Sequence, residues 1–343
     1  MGLETQGGRV GPQAGGALSW FWSVRGYHSE GRRWLEESLA IDGSVSPEVW
    51  AMALAGAGAL ALEQGDYDRA KEACVEGLEL LEHEAKETAS EPKLILLSCL
   101  GFVALEREEH NQAKQLYEEC LAQSREMSDI WWLASSLANL ALVTHSLGNY
   151  ERATELYKES MDLFVEQGDK QSLAFCLNNL ARVGYSQGDL GRAAKLTEEG
   201  VGVSRELGAR VDVALGLCNL GWIALLQDDL GRAADLYRES LSLSWDTGMN
   251  PLVQSVLEGL ACLDGTQGEA QRAARLWGAA QALHETKGIP RDTDFLAEAD
   301  ARISAVRSGM GEEQWEEAWR KGRAMTLDEA VCYALEGEEE ASG

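Results

Sequence analysis

The hydrophobic positions of the chain repeat every 40 residues between about Trp131 and Gly288. In each period a Leu is followed three residues later by a second Leu and then by a small residue. The four copies are Leu137-Leu140-Ala141, Leu177-Leu180-Ala181, Leu217-Leu220-Gly221 and Leu257-Leu260-Ala261. Residues three and four apart share one face of a helix, and the small residue lets another helix approach closely. A fixed period of this length predicts a stack of repeated structural units.

A turn follows each of these runs. The turns are Gly148-Asn149-Tyr150, Gly188-Asp189-Leu190, Asp228-Asp229-Leu230 and Gly268-Glu269-Ala270. Gly, Asn and Asp favour chain reversal. An Ala comes shortly after each turn, and four residues later stand Tyr157, Thr197, Tyr237 and Trp277. We interpret each period as a helix hairpin in which the Ala packs inside the hairpin and the larger side chain mostly fills the space between hairpins.

The Leu-x-x-Leu-small run, the Gly-Asp-Tyr type of turn and the following Ala resemble the tetratricopeptide repeat in its form of about 40 residues. The resemblance implies an all-α, right-handed superhelical solenoid. Further copies are indicated upstream by Gly65-Asp66-Tyr67 and by Leu97-Leu100-Gly101, with a degenerate first copy from Ala17 to Ala40. We expect about seven hairpins over residues 17–288, with a short insertion between Glu84 and Lys93.

Both ends of the chain depart from the repeat. Residues 1–16 are Gly-rich, and we expect them to be disordered. Ile289-Pro290 ends the last hairpin, because Pro breaks a helix. Three helical patterns follow, at Thr293–Ser308, Glu312–Met325 and Leu327–Leu335, and Thr326 with Glu329 fits a capping box. We interpret residues 289–336 as a C-terminal helical cap and the acidic residues 337–343 as a disordered tail.

Composition narrows the function classes. The formal net charge of −27 argues against direct nucleic-acid binding, and no apolar run is long enough for a membrane span. Seven widely spaced cysteines favour a reducing compartment, the cytoplasm. The five histidines are scattered, so we expect no metal site. The sequence contains no phosphate-binding loop, and no nucleophile and general base occur in a recognisable catalytic motif. We therefore expect neither a cofactor nor enzymatic activity.

Two C-terminal stretches, Ala273 to Leu283 and Gly311 to Val331, resemble the end of a family of bacterial signal-transduction ATPases. Many of these proteins are LuxR-type (MalT-like) transcriptional regulators, and their C-terminal half is a tetratricopeptide sensor. The run from Trp20 to Leu39 resembles the segment that follows their ATPase and winged-helix part. The resemblance implies that this chain is either the sensor arm of such a protein, with an upstream ATPase domain as its partner, or a stand-alone relative that has lost its effector domains.

Candidate binding residues lie on the first helix of each hairpin, which lines the concave groove in tetratricopeptide proteins. Asn139, Asn179 and Asn219 precede the second Leu in three successive repeats. Each Asn side chain has a donor and an acceptor and could pair with the backbone of an extended peptide. The alternative is hydrogen bonding within the hairpin or to water. The same face should carry Asn178, Arg182, Tyr185, Trp222 and His145.

The other candidates have roles of their own. Arg182 could bind a carboxylate or phosphate, or pair with a neighbouring helix. Tyr185 and Trp222 could be aromatic anchors in the groove, or could pack between repeats. We therefore expect a non-catalytic sensor module that binds a peptide, a protein segment or a small effector. A stand-alone scaffold for protein assembly and a peptide-pheromone receptor remain alternatives.

Overall fold

The computed structural model describes residues 28–39, 46–84, 90–287 and 295–336. This described part contains sixteen helices and no strand. The chain divides into two compact units, one ending at Asp169 and one beginning at Lys170. Several predicted features lie outside the described residues: the Gly-rich N-terminus, the first helix of the degenerate repeat, residues 85–89 of the insertion expected between Glu84 and Lys93, the helix break at Pro290 and the acidic tail.

The first unit holds seven described helices, of which six form three consecutive hairpins. These helices are α1 (His28–Leu39), α2 (Pro47–Glu63), α3 (Tyr67–Glu84), α4 (Glu91–Glu106), α5 (His110–Met127), α6 (Ile130–Ser146) and α7 (Tyr150–Gln167). The hairpins are α2/α3, α4/α5 and α6/α7. Helix α1 packs on α2, in the place of the second helix of a preceding hairpin.

The second unit holds three more hairpins and three shorter helices. They are α8 (Lys170–Ser186), α9 (Leu190–Leu207), α10 (Arg210–Leu226), α11 (Leu230–Asp246), α12 (Asn250–Gln267), α13 (Ala270–Lys287), α14 (Leu296–Met310), α15 (Glu312–Arg323) and α16 (Leu327–Glu336). One apolar core runs from α10 to the C-terminal helices and includes Leu225, Leu257, Leu276 and Trp315. Among the described helices, none combines the length and the apolar character that crossing a bilayer requires.

The predicted turns reverse the chain inside each hairpin. Gly148 and Gly188 have φ angles of 77° and 76°, a left-handed conformation that glycine adopts at little cost. The next residue then caps the second helix. Asn149 and Asp189 accept hydrogen bonds from the backbone N–H three residues ahead, at 3.2 and 3.0 Å. The turn chemistry read from the sequence is therefore confirmed at these positions.

The large side chain of the second helix fills the space between hairpins, as predicted. Tyr237 of α11 is fully buried. A Cβ atom added to Gly221 of α10 would lie 2.6 Å from the Tyr237 ring. A Cβ atom added to Gly259 of α12, in the next hairpin, would lie 2.5 Å from the same ring. The two glycines therefore make room for one aromatic ring between consecutive hairpins.

The three C-terminal helices pack onto the last hairpin. Helix α14 begins at Leu296 rather than at the predicted Thr293, and it lies against α12. Helix α15 lies against α13. The capping box before α16 is confirmed. The backbone N–H of Thr326 donates to Glu329 at 2.7 Å, and the Glu329 N–H donates back to the Thr326 hydroxyl at 3.3 Å.

Candidate functional site

Four of the predicted site residues line one small pocket in the second unit. Asn178, Arg182 and Tyr185 come from α8, and Asn219 comes from α10. The remaining walls are Ala181, Thr197, Ile223 and Phe295. We call this the groove pocket. Its volume is about 20 Å³, which is enough for one water molecule.

Asn178 is the most distinctive group in the groove pocket. Its Oδ1 atom is buried and has no hydrogen-bond partner among the described residues. The side chain fits because the facing residue of α9 is Gly200, where an added Cβ atom would come within 2.8 Å of Oδ1. Ser160 and Ser240 stand at the equivalent repeat positions. A buried acceptor is costly unless it is hydrogen-bonded, and the groove pocket has room for one water molecule that could donate to this atom.

Phe295 closes one side of the groove pocket. Its ring stacks on Trp222 with centroids 5.2 Å apart and an interplanar angle of 4°. The ring also packs against Tyr185, with centroids 4.8 Å apart. Trp222 is only 3% exposed. It therefore packs between repeats, which was the alternative to a role as an aromatic anchor in the groove. Tyr185 keeps a half-buried place in the pocket wall.

Asn179 lies at the same repeat position as Asn219 but outside the groove pocket. Its side chain is 8% exposed, and its Nδ2 donates to the carbonyl of Phe175 in the same helix at 2.9 Å. Asn139 and His145 belong to α6 of the first unit, where both are half-buried. The His145 ring lies 5.6 Å from the Tyr150 ring.

Two exposed apolar residues beside the groove pocket were missed by the sequence analysis. Phe175 on α8 is 46% exposed and Leu215 on α10 is 40% exposed. Phe175 precedes Asn178 by three residues and Leu215 precedes Asn219 by four, so each pair shares a helix face. The sequence did contain a signal for them. Phe175 and Leu215 occupy the same repeat position, 40 residues apart, and this position is a serine in the repeats on either side, at Ser135 and Ser255. No comparable signal pointed to Phe295.

Both a sequence comparison and structural superpositions with known proteins support the fold. Residues 132–206 match the sequence model described as tetratricopeptide repeat. The sensor-containing signal-transduction ATPase PH0952 of Pyrococcus horikoshii superposes with a TM-score of 0.62 at 16% identity, covering 86% of this chain and 44% of that one. The chain has the tetratricopeptide fold. The apo quorum sensor NprR of B. thuringiensis superposes with a TM-score of 0.65 at 12% identity, covering 92% and 86% of the two chains.

A sequence relationship to regulators covers a shorter stretch. Proteins of Mycobacterium bovis and Mycobacterium tuberculosis that are named as HTH-type transcriptional regulators are 38% identical over 81 residues. The match covers 24% of this chain and 9% of each relative. The chain therefore spans a small fraction of the curated relatives that it matches.

Proposed function

We propose that this chain is a non-catalytic recognition module that binds an extended peptide or protein segment across α8 and α10. The observation that carries the proposal is the placement of Asn178 and Asn219 in one pocket, on the same helix faces as the exposed Phe175 and Leu215. Amide side chains of this kind can hold the backbone of an extended chain, since they donate and accept at once. The exposed Phe175 and Leu215 supply apolar contacts for side chains of the bound segment.

We further propose that the module is the sensor arm of a larger signal-transduction ATPase or transcriptional regulator. The partial match to the mycobacterial regulators and the likeness to the sensor-containing ATPase support this role. Binding would then shift an upstream ATPase domain between two states, which requires different affinities for the bound segment in those states. An immunoblot of cells that express the native gene tests the role directly. A band far above 37.3 kDa supports it, and a band at that mass favours a stand-alone scaffold.

The binding proposal can be tested without knowing the natural ligand. A displayed library of random linear peptides would be selected on the purified protein, and the enriched peptides would be measured by calorimetry. We expect the double variant Asn178→Ala/Asn219→Ala to bind these peptides at least about tenfold more weakly, because two hydrogen bonds to the peptide are lost.

The control for this experiment is Asn179→Ala. Asn179 is adjacent in sequence to Asn178 and shares the repeat position of Asn219, but it bonds within its own helix. Its replacement should leave peptide affinity within about twofold, because no contact with the peptide is removed. Circular dichroism would verify that both variants are folded. Equal peptide affinity in the pocket double variant and the wild type would overturn the proposal, as would a selection that enriches no peptide.

A further inference from the structure

The face of α10 that reaches the groove pocket also carries an acidic side chain. Asp212 lies in the first turn of this helix and is exposed to solvent. It precedes Leu215 by three residues and Asn219 by seven, which places the three side chains on one face of the helix. Leu215 is exposed, and Asn219 lines the groove pocket. Asp212 therefore belongs to the surface across which we propose that a peptide binds.

Asp212 has no ion pair or hydrogen bond with another side chain in the described part of the chain. The cations at neighbouring positions are engaged elsewhere. Arg210, two residues earlier, pairs with Asp246 at 2.8 Å. Lys170 holds the position of Arg210 in the preceding repeat, and it pairs with Glu206 at 2.6 Å. The Asp212 carboxylate is therefore available to a cation that comes from a bound partner.

The surroundings of Asp212 are apolar. Val211 and Leu215 are exposed apolar neighbours on α10, and Phe175 presents an exposed ring at the position of Leu215 in the preceding repeat. Partial burial raises the pKa of Asp212 above the usual 3.8, and no neighbouring charge offsets this effect. The carboxylate has thus lost part of its hydration without gaining a counter-charge. Attraction between opposite charges is stronger in such surroundings than in open water.

We propose that the segment bound across α8 and α10 contains a lysine or arginine whose charged end pairs with Asp212. This inference rests on the proposed function and names the class of segment that the groove selects. Lysine and arginine join an apolar stem to a charged end, so the stem can pack on Val211 and Leu215 while the charge meets the carboxylate. The formal net charge of −27 also attracts basic segments to the chain.

Parallel selections test this charge preference. The library of random linear peptides would be selected on the wild type and on Asp212→Lys, in which the charge at this position is reversed. We expect peptides enriched on the wild type to share a basic residue beside apolar ones. Peptides enriched on Asp212→Lys should carry an acidic residue in its place. Replacing the basic residue of a selected peptide by glutamine should weaken binding to the wild type about three- to tenfold.

Calorimetry with one selected peptide assigns the contact to Asp212. Asp212→Asn should bind the basic peptide about three- to tenfold more weakly than the wild type does. In this variant the basic peptide and its glutamine form should bind within about twofold of each other, because the pairing charge is already lost. If Asp212 only stabilised the first turn of α10, Asp212→Asn would change the free energy of unfolding but not the charge preference.

The matched control is Glu199→Gln. Glu199 is an exposed carboxylate on α9, the second helix of its hairpin, and it lies outside the residues that carry the proposed contact. Its replacement removes the same charge from the chain and should leave peptide affinity within about twofold. Equal losses in Glu199→Gln and Asp212→Asn would show a general effect of net charge and would overturn the assignment.

The remaining outcomes separate this inference from the proposed function. Enriched peptides can depend on Asn178 and Asn219 yet show no basic residue, or can bind Asp212→Asn as tightly as the wild type. Either result overturns the pairing with Asp212 and leaves the proposed function standing. A selection that enriches no peptide overturns both.

Discussion

The contact between α13 and α15 permits a sharp test of helix packing. The two helices approach so closely that glycine faces backbone on both sides. A Cβ atom added to Gly322 would lie 1.9 Å from the carbonyl oxygen of Arg275. A Cβ atom added to Gly278 would lie 2.3 Å from the carbonyl oxygen of Trp319. Replacing Gly322 by Ala should therefore force the helices apart.

The size of the effect follows from two opposing terms. An ordinary van der Waals contact begins at about 3.4 Å, so the oxygen must retreat by roughly 1.5 Å, and it belongs to backbone rather than to a flexible side chain. Overpacking of this kind costs about 1–3 kcal/mol and occasionally more. Alanine is better than glycine within a helix by about 1 kcal/mol. We expect Gly322→Ala to destabilise the C-terminal helices by about 2 kcal/mol, near the upper end of these ranges.

Gly202→Ala is the matched control for this substitution. Gly202 lies inside α9, is exposed, and would have no atom within 4 Å of an added Cβ. Only the helix propensity changes there, so the free energy of unfolding should rise by about 0.5–1 kcal/mol. Because the two substitutions should change the free energy of unfolding in opposite directions, the comparison separates the effect of packing from that of helix propensity.

Native-state hydrogen exchange resolved by mass spectrometry is the suitable assay, because it reports each group of helices separately. In Gly322→Ala, amides of α13, α15 and α16 should exchange faster, while those of the first unit keep wild-type rates. Urea denaturation would supply the free energy of the whole transition. If the amides of α15 exchange as slowly in Gly322→Ala as in the wild type, the close approach of α13 and α15 is refuted.

Three further predictions concern a buried carboxyl, the cysteines and a helix cap. Burial raises the pKa of Asp264 from the usual 3.8 to about 6, although Arg272 lies 2.8 Å away. The folded protein therefore retains a proton that the unfolded chain has lost. From pH 4 to pH 6.5 the free energy of unfolding of the wild type should fall by about 2 kcal/mol relative to that of Asp264→Asn, measured by urea denaturation. Ellman's reagent should rapidly modify only Cys332 in the native chain, because it is exposed and the other six cysteines are buried. Asn149→Ala should lower the free energy of unfolding by about 1 kcal/mol, because the N-cap of α7 is lost.

Each of these three predictions has a control and a contradicting outcome. Parallel pH profiles for the wild type and Asp264→Asn would show that the buried carboxyl does not titrate differently in the folded state. For the thiols, Cys332→Ser should abolish the fast reaction, and a remaining fast thiol would contradict the burial of the other cysteines. Asn149→Ser should retain stability, because serine can also cap a helix. Equal losses in the Ser and Ala variants would exclude capping as the cause.

The repeated elements could be predicted because their contacts are local and periodic. Gly188 and Asp189 form the turn and cap that their residue types favour. Tyr237 packs between hairpins because small residues recur at fixed positions on both sides of it. In each case the interacting residues lie within about one repeat of one another, so the pattern of residue types contains most of the necessary information.

The candidate site was only partly predictable. Asn179 and Asn219 have the same repeat position, yet only Asn219 lines the groove pocket, because Asn179 bonds to its own helix. Helical phase fixes the face on which a side chain begins, but its neighbours decide which rotamer it adopts. Phe295 could not be placed at all, because its contacts lie far away in sequence and the repeat does not extend to it.

The position of Phe295 has a practical consequence for anyone who shortens the chain. Sequence periodicity suggests a natural end near residue 288, after the last hairpin. A protein cut there would lose the ring that covers Tyr185 and Trp222, and two aromatic faces would meet water. Exposed apolar patches of this kind promote self-association. The folded core therefore extends beyond the last hairpin. A shortened protein that keeps the hairpins should retain Phe295 and the helices after it.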